Sequence, residues 1–369
     1  MGLGKLDISL ENRPRNRGGV FHGGDKLMGV VRIMINGNPE RIRDVKMCYK
    51  GQCETHITRL ESTGQLPPNP QHKMANYRST EVYLNHNTYL CGGPGSEFEL
   101  EPGYFEYPFQ LTLPLNLPPS FEGSHGKVRY MIKASIKRRG KIDHETVRTF
   151  RVSNVIDLNL ESQRYFQPFL GERHKTLCCL WCMSGPISAT LKLSRTAFVP
   201  GETISILAEA DNKSGRKVRS SSIKLFQRVK YIAEGRSQVD TSCLAKISKG
   251  SIEPGDSEVW NDRFRLPAAM PPSGMRGCRY IDVSYYLRFE VDPGLMAFDL
   301  DIDVPLLIGT VPLRANPSDR ALMGSVHPYR PYRGMAVSPP PDYRYIQPPT
   351  TCPDIPPPSY GTLLRQGRI

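Results

Sequence analysis

Two short runs decide the fold: VRYMIKASI at Val128–Ile136 and VSYYLRFEV at Val283–Val291. In the first, Val128, Tyr130, Ile132, Ala134 and Ile136 fall on one side, and Arg129 and Lys133 on the other. A period of two with one polar face predicts an antiparallel strand buried on one side only. The second run repeats the first, with its Val and Tyr offset by 155 residues. Working outward, FQLTLPLNLPPS (109–120) precedes the first run and FRLPAAMPPS (264–273) the second. Earlier still, FHGGDKL (21–27) is matched by FVPGETI (198–204), each a turn with Gly24 or Gly201, then an acid, then an apolar run. Three paired features in one order mean a domain-sized unit written twice.

The rest of the chain agrees with strands. Leu27, Val31, Ile33 and Ile35 alternate through residues 26–35, and turn residues punctuate the sequence at short intervals. Hydrophobic residues make up 38% of the 369, enough for two cores, and no long helix-period stretch occurs. The expected fold is all-β: two tandem antiparallel immunoglobulin-like β-sandwiches, at 1–161 and 186–314. Residues 162–185, with most of the ERHKTLCCLWCMSGP passage, read as a Cys-rich linker between them. Residues 315–369 hold 12 Pro and 5 Tyr with no alternation, so they cannot bury enough surface to offset ordering entropy. They are expected to be a disordered or polyproline tail.

The chain resembles the arrestin-domain-containing proteins, the α-arrestins. The resemblance is carried by FQLTLPLNLPPSFEGSHGKVRY (109–130), SNVIDLNL (153–160), KTLCCLWCMSGPIS (175–188), LKLSRTAFVPGETISI (191–206) and DIDVPLLIGTVPL (301–313). It implies the arrestin fold and a trafficking-adaptor role, in which HECT-type ubiquitin ligases are brought to membrane receptors or transporters.

The residues that would perform that role lie in the tail. Pro340-Pro341-Asp342-Tyr343 and Pro357-Pro358-Ser359-Tyr360 are both PPxY motifs. Paired prolines are already close to the polyproline II shape, so Pro340, Pro341, Pro357 and Pro358 lose little entropy on docking into the aromatic groove of a WW domain. One three-residue turn brings Tyr343 or Tyr360 onto the same face, its ring in a second pocket. The two tyrosines are 17 residues apart. A flexible chain of that length spans about 20–25 Å, short enough for tandem WW domains to take both. The same tyrosines open Tyr343-Arg-Tyr-Ile346 and Tyr360-Gly-Thr-Leu363, which fit the loose YxxΦ pattern of clathrin adaptors.

Net charge is +13, favouring acidic partners such as phosphorylated tails or anionic lipid. Two basic clusters are candidate contacts: Lys137, Arg138, Arg139 and Lys141, and Lys213, Arg216, Lys217 and Arg219. Nucleic acid is not expected, since no zinc-finger, RNP or helix-turn-helix pattern is present. No phosphate loop, HExxH or GxSxG occurs, and His144-Glu145 stands alone, so no enzyme, cofactor or metal is expected. Cys179-Leu-Trp-Cys182 lacks a second CxxC, and packing or palmitoylation is the alternative use. Cys48, Cys53 and His56 lie on one expected strand whose alternation separates them. With no export signal the nine cysteines read as reduced thiols, so the Asn212-Lys-Ser sequon is not expected to carry glycan. The expected location is cytoplasmic, peripheral to plasma membrane and endosomes. Two other readings stay open: a ubiquitin-independent, retromer-like sorting subunit, and a thioredoxin-interacting redox regulator. The latter needs a reactive cysteine in the second domain; residues 251–260 hold none, although Cys243 is nearby.

Overall fold

The computed structural model describes residues 3–11, 19–62, 72–179, 182–294 and 298–314. They form two antiparallel sandwiches and contain no α-helix. In the first, a sheet of β1 (Leu3–Leu10), β3 (Lys26–Ile35) and β7 (Gly103–Thr112) faces a larger one. The larger sheet orders β2 (Val20–Phe21), β10 (His144–Val152), β9 (Gly126–Arg138), β4 (Glu40–Ser62) and β5 (His72–Gly92). Short strands β6 (Phe98–Leu100) and β8 (Phe121–Glu122) add to β4 and β9.

The second sandwich repeats this topology. Strands β12 (Cys182–Leu193), β14 (Thr203–Asn212) and β17 (Ser257–Arg265) correspond to β1, β3 and β7. Strands β13 (Ala197–Phe198), β19 (Leu300–Ile308), β18 (Ile281–Asp292), β15 (Ser220–Ala233) and β16 (Arg236–Lys249) reproduce the order of the larger sheet. Even the one parallel pairing recurs, β2 with β10 and β13 with β19.

The repeated residues build equivalent joints. The Tyr130 hydroxyl donates to the Pro118 carbonyl at 2.7 Å, and that of Tyr285 to the Pro271 carbonyl at the same distance. The Ser120 N–H donates to the Val152 carbonyl and its hydroxyl accepts the Val152 N–H, and Ser273 makes the same two bonds with Ile308. Thus Pro-Pro-Ser pins the loop to the last strand while the fifth residue of β9 or β18, Tyr130 or Tyr285, ties the carbonyl of the first proline. At the upstream turns Gly24 and Gly201 sit at φ of +83° and +79°, a conformation that favours glycine. The acid that follows accepts from the backbone three residues back, His22 N–H to Asp25 at 2.8 Å and Val199 N–H to Glu202 at 2.9 Å.

The alternating residues face inward as their period requires. Val128, Tyr130, Ile132, Ala134 and Ile136 are all buried, as are Leu27, Val31, Ile33 and Ile35. On β4, Cys53 points into the core while Cys48 is half-buried and His56 exposed, so these three are indeed kept apart.

The linker expected over 162–185 is corrected by the structure. Strand β11 (Phe169–Cys179) pairs antiparallel with β12 and extends the smaller sheet of the second sandwich by one edge strand. The cysteine positions of CCLWC are therefore strand pairs of a hairpin, with Cys179 opposite Cys182 and Cys178 opposite Met183. Its apolar, charge-flanked composition conceals the pairing, since a hairpin at a sheet edge needs no strict alternation. The crossover between sandwiches is instead about 153–168. It is tied down by the last residues of the second sandwich: Asp157 bridges Val311, and Thr310 exchanges bonds with Ile156. Asn159 donates to the Pro312 carbonyl at 3.0 Å and accepts from the Arg314 N–H at 2.9 Å. SNVIDLNL and the end of DIDVPLLIGTVPL are thus two halves of one joint.

Candidate functional site

Two regions of the described protein can bear on function: the junction between the sandwiches and the basic clusters. The junction is built from the far end of the β4–β5 hairpin and the β8–β9 turn on one side. The β15–β16 hairpin and the loop before β18 supply the other. Thr55 Oγ1 donates to the Ile232 carbonyl at 2.7 Å. Glu234 and the Arg78–Ser79 backbone and hydroxyl exchange two bonds, at 3.1 and 3.0 Å. Arg236 lies 3.4 Å from Glu61, and Arg59 donates to the Ser237 carbonyl.

The turn 123–126 fits tightly into this groove. Ser124 donates to Asp240, and His125 stands 3.6 Å from the same carboxylate with its ring edge-on to Tyr231, centroids 5.5 Å apart. Gly123 packs so closely that an added Cβ would fall on the Tyr231 hydroxyl, well under 3.0 Å. Gly277, at φ +87°, crosses the junction against the Asn116 carbonyl. The two Pro-Pro-Ser loops meet here, Pro119 and Ser120 facing Pro271 and Pro272 around a void of about 20 Å³.

A third part of the junction centres on Glu81. Its carboxylate takes the Arg279 N–H at 3.0 Å, the Arg279 guanidinium at 2.5 Å and the Tyr83 hydroxyl at 2.8 Å. Burial alone would raise its pKa, but these donors together hold it below the ordinary carboxylate value. Arg276 and Glu161, 2.5 Å apart, add a further ion pair between loop and crossover.

The basic clusters are less positive than their sequences imply. Lys141 lies 2.9 Å and Arg138 3.7 Å from Glu40, which is buried. Arg139 pairs with Glu97 at 3.0 Å, Lys213 with Asp211 at 3.0 Å, Lys217 with Glu253 at 2.5 Å, and Arg219 with Asp292 at 3.3 Å. Lys137 and Arg216 are exposed at the surface. Apart from Asp211, two residues from Lys213, these acids are distant in the chain, Glu40 being 101 residues from Lys141, so sequence reading could not find them.

Other sequence signals are absorbed by structure. Glu145 faces Lys133 at 2.8 Å, as neighbouring antiparallel strands allow. Asn212 is buried and its amide donates to the carbonyls of Arg216, Ile252 and Glu253, which leaves no free nitrogen for a glycan. Among the described residues no group of three His, Cys, Asp or Glu could hold a metal. Pro340, Pro341, Tyr343, Pro357, Pro358 and Tyr360 lie outside the described residues. The described chain ends beside the crossover, at Arg314, where that segment begins.

The duplicated sandwich and its tied crossover define a lineage that the comparisons settle. Residues 7–159 match the family described as "Arrestin (or S-antigen), N-terminal domain", and residues 183–313 its C-terminal counterpart. The chain belongs to the arrestin family, in its α-arrestin branch. Human arrestin domain-containing protein 4 is 31% identical over 302 residues, 80% of this chain and 69% of the relative. The mouse protein of that name is 32% identical over 63% of this chain, and the alignment spans 56% of its length, less than two thirds. Arrestin domain-containing protein 17 of Caenorhabditis elegans is 25% identical over 84% of this chain and 71% of the relative. At family level such proteins are trafficking adaptors rather than enzymes.

Proposed function

We propose that this α-arrestin recruits WW-domain HECT-type ubiquitin ligases through its two PPxY motifs. The ligase is thereby brought to a membrane receptor or transporter held by the sandwiches, promoting ubiquitination, endocytosis and endosomal sorting. The reading rests on one observation: a scaffold of two arrestin domains is followed directly by a proline-rich segment carrying PPDY and PPSY. It places the protein at the cytoplasmic face of plasma membrane and endosomes, with no cofactor and no catalysis of its own. Anionic lipid or phosphorylated cargo tails are secondary partners of the basic clusters, since a phosphate can exchange for the weak surface ion pairs found there.

The test is capture of a tandem WW-domain fragment by the full chain. Tyr343→Ala or Tyr360→Ala alone removes one of two linked contacts and weakens capture by about 10²-fold, while the double variant loses it. Cargo ubiquitination in cells falls in parallel. Full capture by the double variant would refute the assignment. Phosphorylating either tyrosine also opposes binding, because a dianion would have to enter an aromatic pocket.

A further inference from the structure

Cys53 and Cys278 lie 225 residues apart, in different sandwiches, yet they are neighbours at the junction. Cys53 is fully buried on β4. Its ladder partner on β5 is Glu81, the residue that grips both the backbone and the guanidinium of Arg279. That grip seats residue 278 beside residue 53, where the two thiols interact with each other and with Tyr83. Cys278 itself is partly open to solvent and sits in a short turn, its N–H bonded to the Met275 carbonyl at 2.8 Å. Glycines at positive φ, Gly274 and Gly277, flank that turn and let it adjust. A buried thiol beside a second, partly buried cysteine across a domain boundary is the arrangement of a reversible dithiol.

We propose that Cys53 and Cys278 form a peroxide-sensitive dithiol whose oxidation to a disulfide staples the two sandwiches together. The sulfur of Cys278 attacks hydrogen peroxide, breaking the O–O bond and expelling hydroxide, which leaves as water after protonation. The resulting sulfenic acid is attacked by the sulfur of Cys53, which loses its proton. The S–O bond breaks, a second water leaves, and the S–S bond forms. Two thiols give up two electrons and hydrogen peroxide accepts them; an added dithiol reverses the change.

The roles of the two sulfurs follow from their surroundings. The Cys278 thiol is held down to about 6, first by the neighbouring Cys53 thiol and then by the Tyr83 hydroxyl and the backbone N–H groups of Tyr280 and Ile281, against the opposing effect of burial. Cys53 is pushed up, first by its interaction with Cys278 and then by burial. Glu81 and the hydroxyls of Tyr83 and Tyr130 are the other titratable groups near the pair, with Arg279 beside them. Cys278 is therefore the sulfur that meets the oxidant and Cys53 the one that resolves it.

The experiment is peptide mapping of the full chain, unreduced, after treatment with hydrogen peroxide. The expected product is a linked peptide joining Cys53 to Cys278, formed with loss of two free thiols and removed by dithiothreitol. In Cys53→Ser the sulfenic acid at Cys278 persists and is trapped by a dimedone probe; in Cys278→Ser neither product forms. Circular dichroism of both variants checks that they fold. In unoxidised protein, alkylation of Cys278 levels off above about pH 6, whereas an ordinary thiol continues to accelerate past about pH 8. If peroxide instead links other cysteines, or leaves Cys278 no more readily oxidised than exposed Cys243, the proposal is wrong.

Discussion

Substituting Gly123 by alanine tests the junction at its tightest point. The new methyl group would lie well under 3.0 Å from the Tyr231 hydroxyl and 2.7 Å from a ring carbon of Phe121, where side-chain carbons do not sit. Neither ring can retreat cheaply. Tyr231 is buried against His125, and the Gly123 backbone is fixed by its N–H bond to the Gly126 carbonyl at 2.9 Å. Overpacking of this kind costs about 1–3 kcal/mol, and displacing the Tyr231 hydroxyl from its polar neighbours Ser124 and His125 adds about 1 kcal/mol. The expected loss is about 2–4 kcal/mol, borne by the junction first. Gly93→Ala is the control: an added Cβ there meets nothing within 4 Å and the residue has no positive φ, so it shifts stability by less than about 1 kcal/mol. Urea unfolding gives the free energies. Amide hydrogen exchange over residues 53–57 and 228–240 reports whether the loss is at the interface. A Gly123→Ala protein as stable as the Gly93→Ala control, with unchanged exchange there, would refute the packing described.

Three further outcomes follow from the same geometry. Tyr130→Phe leaves the buried Pro118 carbonyl without its donor and costs about 1–2 kcal/mol; Tyr285→Phe does the same to Pro271, each read as a lower unfolding midpoint. Because the folded Glu81 carboxylate is held below its ordinary value, its stabilisation is present above about pH 4.3 and fades as pH falls through the lower, folded pKa. Glu81→Gln therefore unfolds more easily at pH 7 and loses that part of the acid sensitivity, as denaturation at pH 7 and pH 3.5 would report. Reversing Lys213, Arg216 and Lys217 together to glutamate should weaken sedimentation with phosphatidylserine vesicles by about 10²-fold or more, an effect that shrinks in high salt. Binding indifferent to both charge and salt would remove this cluster as a lipid contact.

Strands and duplication were legible in the chain because each depends on local spacing. A period of two places Val128, Tyr130 and Ile132 on one face whatever the rest of the protein does, and a repeat of Phe-turn-acid, Pro-Pro-Ser and strand announces a repeat of the unit. The PPxY motifs are legible for the same reason, since their shape is written into consecutive prolines. Tertiary structure alone decided everything that joins distant residues. It turned the expected linker into the β11–β12 hairpin, because an edge strand gains its partner from 182–193 rather than from its own pattern. It gave the basic clusters their acids, Glu40, Glu97, Glu253 and Asp292, none of them a near neighbour on the same strand. It also brought Cys53 to Cys278 across two sandwiches. Alternation fixes which way a side chain points; only the docking of one sheet on another fixes what it meets there.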